Sequence, residues 1–313
     1  MKNIDLQIES FMKHKNKPIQ IASSVVILNH DNSNNMAQSV IQNIIDDKTD
    51  SEVLFFISLI KTSPNLINEK IITKFLFSES KEIKNAILIH LKYNPMIKYL
   101  DDIILLLKDP VTKQNAQEAL LALSDIDIRE KLYHIITDKT KNLHMRKSIL
   151  EIIHHFDSDD IIEIILSTMN DPELSILEKI STGLIKISKL RPFQKIELVK
   201  IDREIQSLAK RAFQLHMFYE SLHPDKTSNL IKDHIKNDLS ILIPIILRLG
   251  TLKEPKIPIE TYIRYIESND PDLMPLVIEL VESTFSPIAG RLTIPLIDSA
   301  VNPLKAGNDL FKE

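Results

Sequence analysis

Val53, Phe56, Ile57 and Ile60 recur at the three- and four-residue steps of one helical face. The same stripe returns as Ile83, Ala86, Ile87 and Leu91, as Ala116, Ala119, Leu120 and Leu123, as Met145, Ser148, Ile149 and Ile152, and as Leu177, Ile180 and Leu184. A short polar break precedes each stripe, near Asp47, Glu79, Asp109, Asp138 and Asp171, at spacings of 32, 30, 29 and 33 residues. Ahead of the break lies a second stripe: Val40, Ile41, Ile44 and Ile45 before the first break, Ile161, Ile162, Ile165, Leu166 and Met169 before the fifth. The pattern predicts a unit of helix, tight turn, helix with a period of about 31 residues. Neither helix of a pair can bury its stripe alone, so successive pairs must stack side by side. The expected fold is all-α, an α-solenoid (α-α superhelix) of about eight or nine helical hairpins.

The turns carry a chemical signature. Asp-Pro stands at 109–110, 171–172 and 270–271. An aspartate before a helix accepts a hydrogen bond from an orphan backbone N–H, and proline fits the first helical position, where its missing donor costs nothing. Asp109 is therefore expected as the N-cap of the following helix, with Pro110 as its first residue. The segments LLLKDPVTKQNAQEALLALSD, ILSTMNDPELSILEKISTGLIKIS and YIRYIESNDPDLMPLVIELVEST each join such a turn to an aliphatic helix. These residues resemble HEAT repeats, in particular the shorter HEAT-like form also seen in bilin-lyase-type proteins. The resemblance covers residues 37 to 188 and 259 to 285. It implies a solenoid scaffold and says almost nothing about activity. Two turns depart from the pattern: the Glu79 turn lacks proline, and Asp138 is followed by KTKNLHM, which predicts a longer loop there. The Trp-Leu-Gly-Tyr and Thr-Pro-Leu-His signatures of tetratricopeptide and ankyrin repeats are absent from the sequence.

Between Asp171 and Asp270 the pattern blurs, and two longer helices are expected, the first ended by Pro224 and the second bent at Pro244. This part is similar to the HEAT-like region attached to some bacterial nucleotide-carrier-like transporters, which implies a bacterial origin and carries over no transport residue. The expected organisation is an N-terminal cap over 1–36, regular HEAT-like repeats over 37–190, less regular repeats with longer helices over 191–300, and a frayed polar tail over 301–313, where Pro303 and Gly307 interrupt the pattern.

Composition narrows the chemistry. The 313 residues are 43% hydrophobic and 26% charged, the balance of a folded chain. With 4 glycines there is little material for phosphate-cradling loops or dinucleotide turns, and with no cysteine there is no thiolate nucleophile or cysteine-based metal site. Apolar runs such as IQIASSVVIL and LSILIPIIL are about half the ~20 residues that a membrane span needs. A cytoplasmic protein is expected. The formal net charge of -4 predicts no general affinity for nucleic acid or acidic membranes.

Candidate chemistry is sparse. His134, His144, His154 and His155 lack the His-Glu-x-x-His spacing of a zinc site, and His216 and His223, with Glu220 and Asp225, make at most an incomplete one. The acidic clusters 46–50, 101–102 and 157–160 sit at helix boundaries, where aspartate caps helices. No cofactor and no metal are expected. The strongest local bias is the band from Lys186 to Arg211, in which Lys186, Lys189, Arg191, Lys195, Lys200, Arg203, Lys210 and Arg211 face only Glu197, Asp202 and Glu204. Such a band suits a partner's acidic surface, an anion or nucleic acid. Three readings follow. The first is a non-catalytic scaffold or adaptor binding another protein along the concave surface lined by the second helices. The second is nucleic-acid or anion binding through 186–211. The third is a HEAT-like enzyme of the DNA glycosylase or bilin-lyase kind, for which no residue set stands out. A dimer through apolar end helices stays open.

Overall fold

The computed structural model describes residues 8–47, 49–60, 66, 68–123, 125–156, 161–191, 198–223, 226–268, 270–298, 301 and 303–311. Every regular element among them is helical and none is a strand. The five breaks in the hydrophobic pattern each separate two helices. After α1 (Lys17–His30), α2 (Asn35–Asp47) is followed by α3 (Asp50–Ile60), α4 (Glu69–Leu76) by α5 (Lys81–Tyr93), α6 (Leu100–Leu106) by α7 (Lys113–Leu121), α8 (Asp125–Thr137) by α9 (Leu143–Ile152), and α10 (Ile161–Ser167) by α11 (Leu174–Leu190). The expected long helices are α12 (Leu198–Ser221) and α13 (Lys226–Gly250), and α13 runs through Pro244 as one helix. Pro224 lies outside the described residues. Four helices complete the chain: α14 (Ile259–Ser268), α15 (Met274–Thr284), α16 (Pro287–Ile297) and α17 (Pro303–Leu310).

Asp109, Asp138 and Asp171 do not cap the helices that follow them, which corrects the expectation for Asp109. Its Oδ1 accepts the N–H of Val111 at 3.0 Å, closing an Asx turn, and α7 starts only at Lys113. Pro110 sits inside that turn, ahead of the helix. The same contact from the residue two positions on recurs at Asp31 (3.0 Å), Asp138 (2.9 Å), Asp171 (3.0 Å) and Asp270 (3.0 Å). The carboxylate mimics a backbone turn and sets the chain reversal before the helix begins. Asp138 also accepts the Thr140 hydroxyl at 2.6 Å, so its connection, 138–142, is no longer than 107–112 despite the missing proline. Capping falls to other side chains: Asn68 accepts from Ile71 N–H (3.0 Å), Asn142 from Met145 (3.2 Å) and Ser286 from Ala289 (3.2 Å).

The chain divides into two compact units between Leu132 and Tyr133, within α8. In the first unit α1 packs on α2 and α3, α3 on α5, and α5 on α4 and α7. α3 thus lies against α1 and α5, and α5 against α3 and α7. Polar contacts within this unit span nearly the same interval: Lys74–Asp46 (2.8 Å), Lys81–Asp109 (3.2 Å), Lys92–Glu118 (3.0 Å), Lys131 with Asp101, and the Asn115 amide donating to Asn85 Oδ1 (2.8 Å).

In the second unit α9 packs on α11 and α11 on α13. Covered from both sides, α11 buries Ile176, Leu177, Ile180, Leu184 and Ile187 together with Ser181 and Gly183. At roughly 1.5–3 kcal/mol for each fully buried aliphatic side chain, that coverage is the main stabilising contribution of this helix. From α12 onward the packing changes. α12 lies against α13 and also against α16 and α17, almost a hundred positions further along. The Ser286 hydroxyl donates to Asp202 Oδ1 at 2.8 Å across that return. In place of a frayed tail, α17 seats on α12: Gly307 lies so close to Phe213 that a Cβ would approach its ring at 3.1 Å, and the Phe311 ring meets Phe213 at 5.7 Å between centroids. Gly250 does the same for Phe285, whose ring atoms stand only 2.1 to 2.5 Å from where a Cβ would be.

One buried ion pair joins three elements of this unit. Arg146, 2% exposed, donates from Nε and Nη2 to the Ile136 carbonyl at the end of α8 (2.9 and 2.8 Å) and from Nη2 to Asp171 Oδ2 (2.5 Å). Asp171 is itself 3% exposed and holds the turn before α11. Replacing Arg146 with methionine strands a buried carboxylate and is expected to lower unfolding free energy by about 3–5 kcal/mol, read from urea midpoints. Gly250→Ala is expected to cost about 1–3 kcal/mol in the same assay, because a methyl group there cannot coexist with the present Phe285 ring position.

Candidate functional site

The basic band does not fold into one surface. Arg191 closes α11, where its backbone N–H meets the Ile187 carbonyl, and its guanidinium donates to the Phe156 carbonyl at 2.6 Å. Lys200 pairs with Glu163 at 2.9 Å, and Arg211 donates to the Pro172 carbonyl at 3.3 Å. These three cations tie α11 and α12 to earlier elements. Lys210 is half-buried on α12, whereas Lys186, Lys189 and Arg203 are exposed. Lys195 and Glu197 lie outside the described residues. Of the band's other acids, Asp202 accepts the Ser286 hydroxyl, and the Glu204 carboxyl is pushed up by burial. α11 and α12 both pack on α13.

Lys189 bears on an ion pair that the sequence does not announce. Arg248, 8% exposed near the end of α13, grips Glu260 of α14 with two bonds, Nε to Oε1 at 2.8 Å and Nη2 to Oε2 at 2.9 Å. Arg264, one turn further along α14, donates to the Glu260 carbonyl and to the Thr261 hydroxyl, both at 3.3 Å. The Arg248 hydrogen bonds, and then the charges of Arg248, Lys189 and Arg264, hold the Glu260 carboxyl below its usual range against the opposing effect of burial. Lys186 lies one turn back on α11, close enough to His154 for its charge to bear on that imidazole. Arg248 of α13 thus holds Glu260 of α14 by both carboxylate oxygens. Arg248 and Arg264 could not be paired with Lys189 from spacing alone, since the helices carrying them lie far apart in the chain.

The histidines form no metal site: among the described residues no three metal-ligating side chains converge. His154 and His155 stack at 4.1 Å between ring centroids. His223 is exposed, and its suggested neighbour Asp225 lies outside the described residues. Asp46 is committed to Lys74, and Asp101 to Lys131. The acidic run 157–160 lies outside the described residues. A cleft of about 520 Å³ in the first unit opens between Phe75, Phe77, Ser78 and Ser80, but its lysine, Lys74, is neutralised by Asp46. No helix among the described residues is long and apolar enough to cross a membrane. Compared with known proteins, the chain matches no protein family, no curated protein and no solved structure.

Three histidines are instead set up to destabilise the fold in acid. His90 is 0% exposed with neither ring nitrogen bonded, and the buried Nε2 of His216 also has no partner. Burial lowers the pKa of His90 and that of His216, where Glu220 partly opposes it, and burial with the neighbouring His155 and Lys186 charges lowers His154 to about 4. The unfolded chain takes up these protons near the ordinary histidine value of about 6.5, before the folded chain does. Stability is therefore fully present above that value and falls as pH drops toward 4. Melting temperatures measured from pH 7.5 to 5 are expected to decline, and His90→Leu is expected to flatten the decline.

Proposed function

We propose that the chain is a non-catalytic scaffold, an α-solenoid of HEAT-like hairpins that binds another protein along the face of its second helices. The observation that carries this reading is the interval of the long-range polar contacts. Lys81–Asp109, Lys92–Glu118, Asn85–Asn115, Lys139 to the Asn170 carbonyl (3.2 Å) and Lys179–Glu151 (2.8 Å) each link a helical pair to the next within its own unit. A fold stabilised by neighbour-to-neighbour contacts offers an extended surface more readily than an enclosed pocket.

Nucleic-acid or anion binding through 186–211 is the second reading, favoured by the exposed Lys186, Lys189 and Arg203. Against it stand the carbonyl and carboxylate partners of Arg191, Lys200 and Arg211. Affinity for duplex DNA across salt concentrations separates the two, because each phosphate contact steepens the log-log slope.

The scaffold reading is tested by affinity capture with the full chain from native lysate, followed by lysine cross-linking and mass spectrometry. Cross-links from Lys147 of α9 and Lys186 of α11 to a protein partner are the expected result. Turnover of a small substrate with no protein cross-linked would overturn it.

A further inference from the structure

We propose that the cleft of the first unit takes up an arginine side chain presented by a basic segment of the partner protein. The proposal rests on the scaffold reading and names one side-chain chemistry that such a scaffold binds. At about 520 Å³ the cleft lies in the size range of sites that hold a ligand group. Ile45 of α2, Val53 of α3, Phe75 of α4 and Ile83 of α5 line it and are all buried, so its floor is apolar. The walls are joined by contacts within the unit: α3 packs on α5 and α5 on α4, and the Lys74–Asp46 pair (2.8 Å) ties α4 to α2.

The rim carries the charge. Asp50 opens α3, Phe77 and Glu79 stand in the turn between α4 and α5, and all three line the cleft and are exposed. Neither the Asp50 nor the Glu79 carboxylate has an ion pair or hydrogen bond among the described residues. The lysines beside them are already neutralised, Lys74 by Asp46 and Lys81 by Asp109 (3.2 Å). Ser78 Oγ accepts the Ser80 N–H (3.2 Å) and Ser80 Oγ the Ile83 N–H (3.4 Å), so these hydroxyls serve the turn's own backbone. An acid in the first turn of a helix complements its dipole, which accounts for Asp50. It does not account for Phe77, which stands at the cleft with 61% of its surface exposed. A guanidinium suits all three rim groups together: its flat face stacks on an aromatic ring, its N–H groups reach carboxylates, and its methylene stem lies along apolar surface. Nucleic acid does not suit them, because its phosphates would meet two unpaired carboxylates.

The test uses the full chain and a fluorescein-labelled dodecapeptide of arginine, leucine and serine. In the control peptide citrulline replaces arginine, keeping the shape and losing the charge. Fluorescence anisotropy should show the arginine peptide binding roughly tenfold or more tightly than the control. Asp50→Asn with Glu79→Gln should weaken it by roughly fivefold or more and Phe77→Ala by roughly threefold or more, whereas Asp233→Asn, an exposed acid on α13, should change it by less than about twofold. The three rim positions are exposed, so melting temperatures should match the parent's; should that of the double variant fall, Phe77→Ala decides. Equal binding of the two peptides, binding of neither, or unchanged affinity in the rim variants would each overturn the assignment. Tighter binding of spermidine than of the arginine peptide would make the cleft a polyamine site and overturn it too. If the peptide does not bind while Lys147 and Lys186 still cross-link to a partner, the cleft assignment falls and the scaffold reading stands.

Discussion

Short helices with apolar residues on more than one side must be covered from more than one side, and the packing follows from that constraint. α11 is the extreme case, buried along nearly its whole length because α9 and α13 close on it from opposite flanks. In the first unit α3 and α5 stand in the same relation to their neighbours. Remove one covering helix and the next exposes several isoleucines and leucines at once, so stability in such an arrangement is shared between adjacent pairs. No helix of eight to thirteen residues would hold its shape in isolation.

Polar groups then fix what burial leaves loose. Hydrophobic contact is non-directional and tolerates sliding, whereas the Asx turns at Asp109, Asp138 and Asp171 set where each chain reversal occurs. Arg146 goes further by joining the Ile136 carbonyl, which ends one helix, to Asp171, which governs the turn before another. A buried pair of this kind adds little net stability over an apolar substitute, but it permits one register only. The surface pairs, Lys74–Asp46 and Lys81–Asp109 among them, are solvent-screened and weak; their regular interval matters more than their strength.

The positions of the helices and turns were legible in the sequence because they depend on local period and on Asp, Asn and Ser at boundaries. The role of each aspartate was not. Capping and Asx turns use the same residue type, and they differ only in where the following helix begins. Nor could the chain reveal its long-range partners. The band 186–211 reads as one feature along the sequence, yet Arg191, Lys200 and Arg211 bind carbonyls or a carboxylate while Lys186 and Lys189 stay exposed. The tail looked polar and broken, but proline is well placed at a helix start, and Gly307 supplies the flat spot that Phe213 needs.

The lengthening of α12 and α13 explains why the candidate site lies where it does. A helix of 24 residues extends well past neighbours of about half its length, so α12 offers free surface to later elements, and α16 and α17 return to use it. That return brings Ser286 to Asp202 and Phe285 to Gly250. Phe285 seats the end of α13 through Gly250, and Arg248 stands within the same last turn, fixed to Glu260. That arginine takes both oxygens of the Glu260 carboxylate. A close steric fit and a two-point ion pair thus fall within one helical turn, and together they fix the end of α13 against Phe285 and α14.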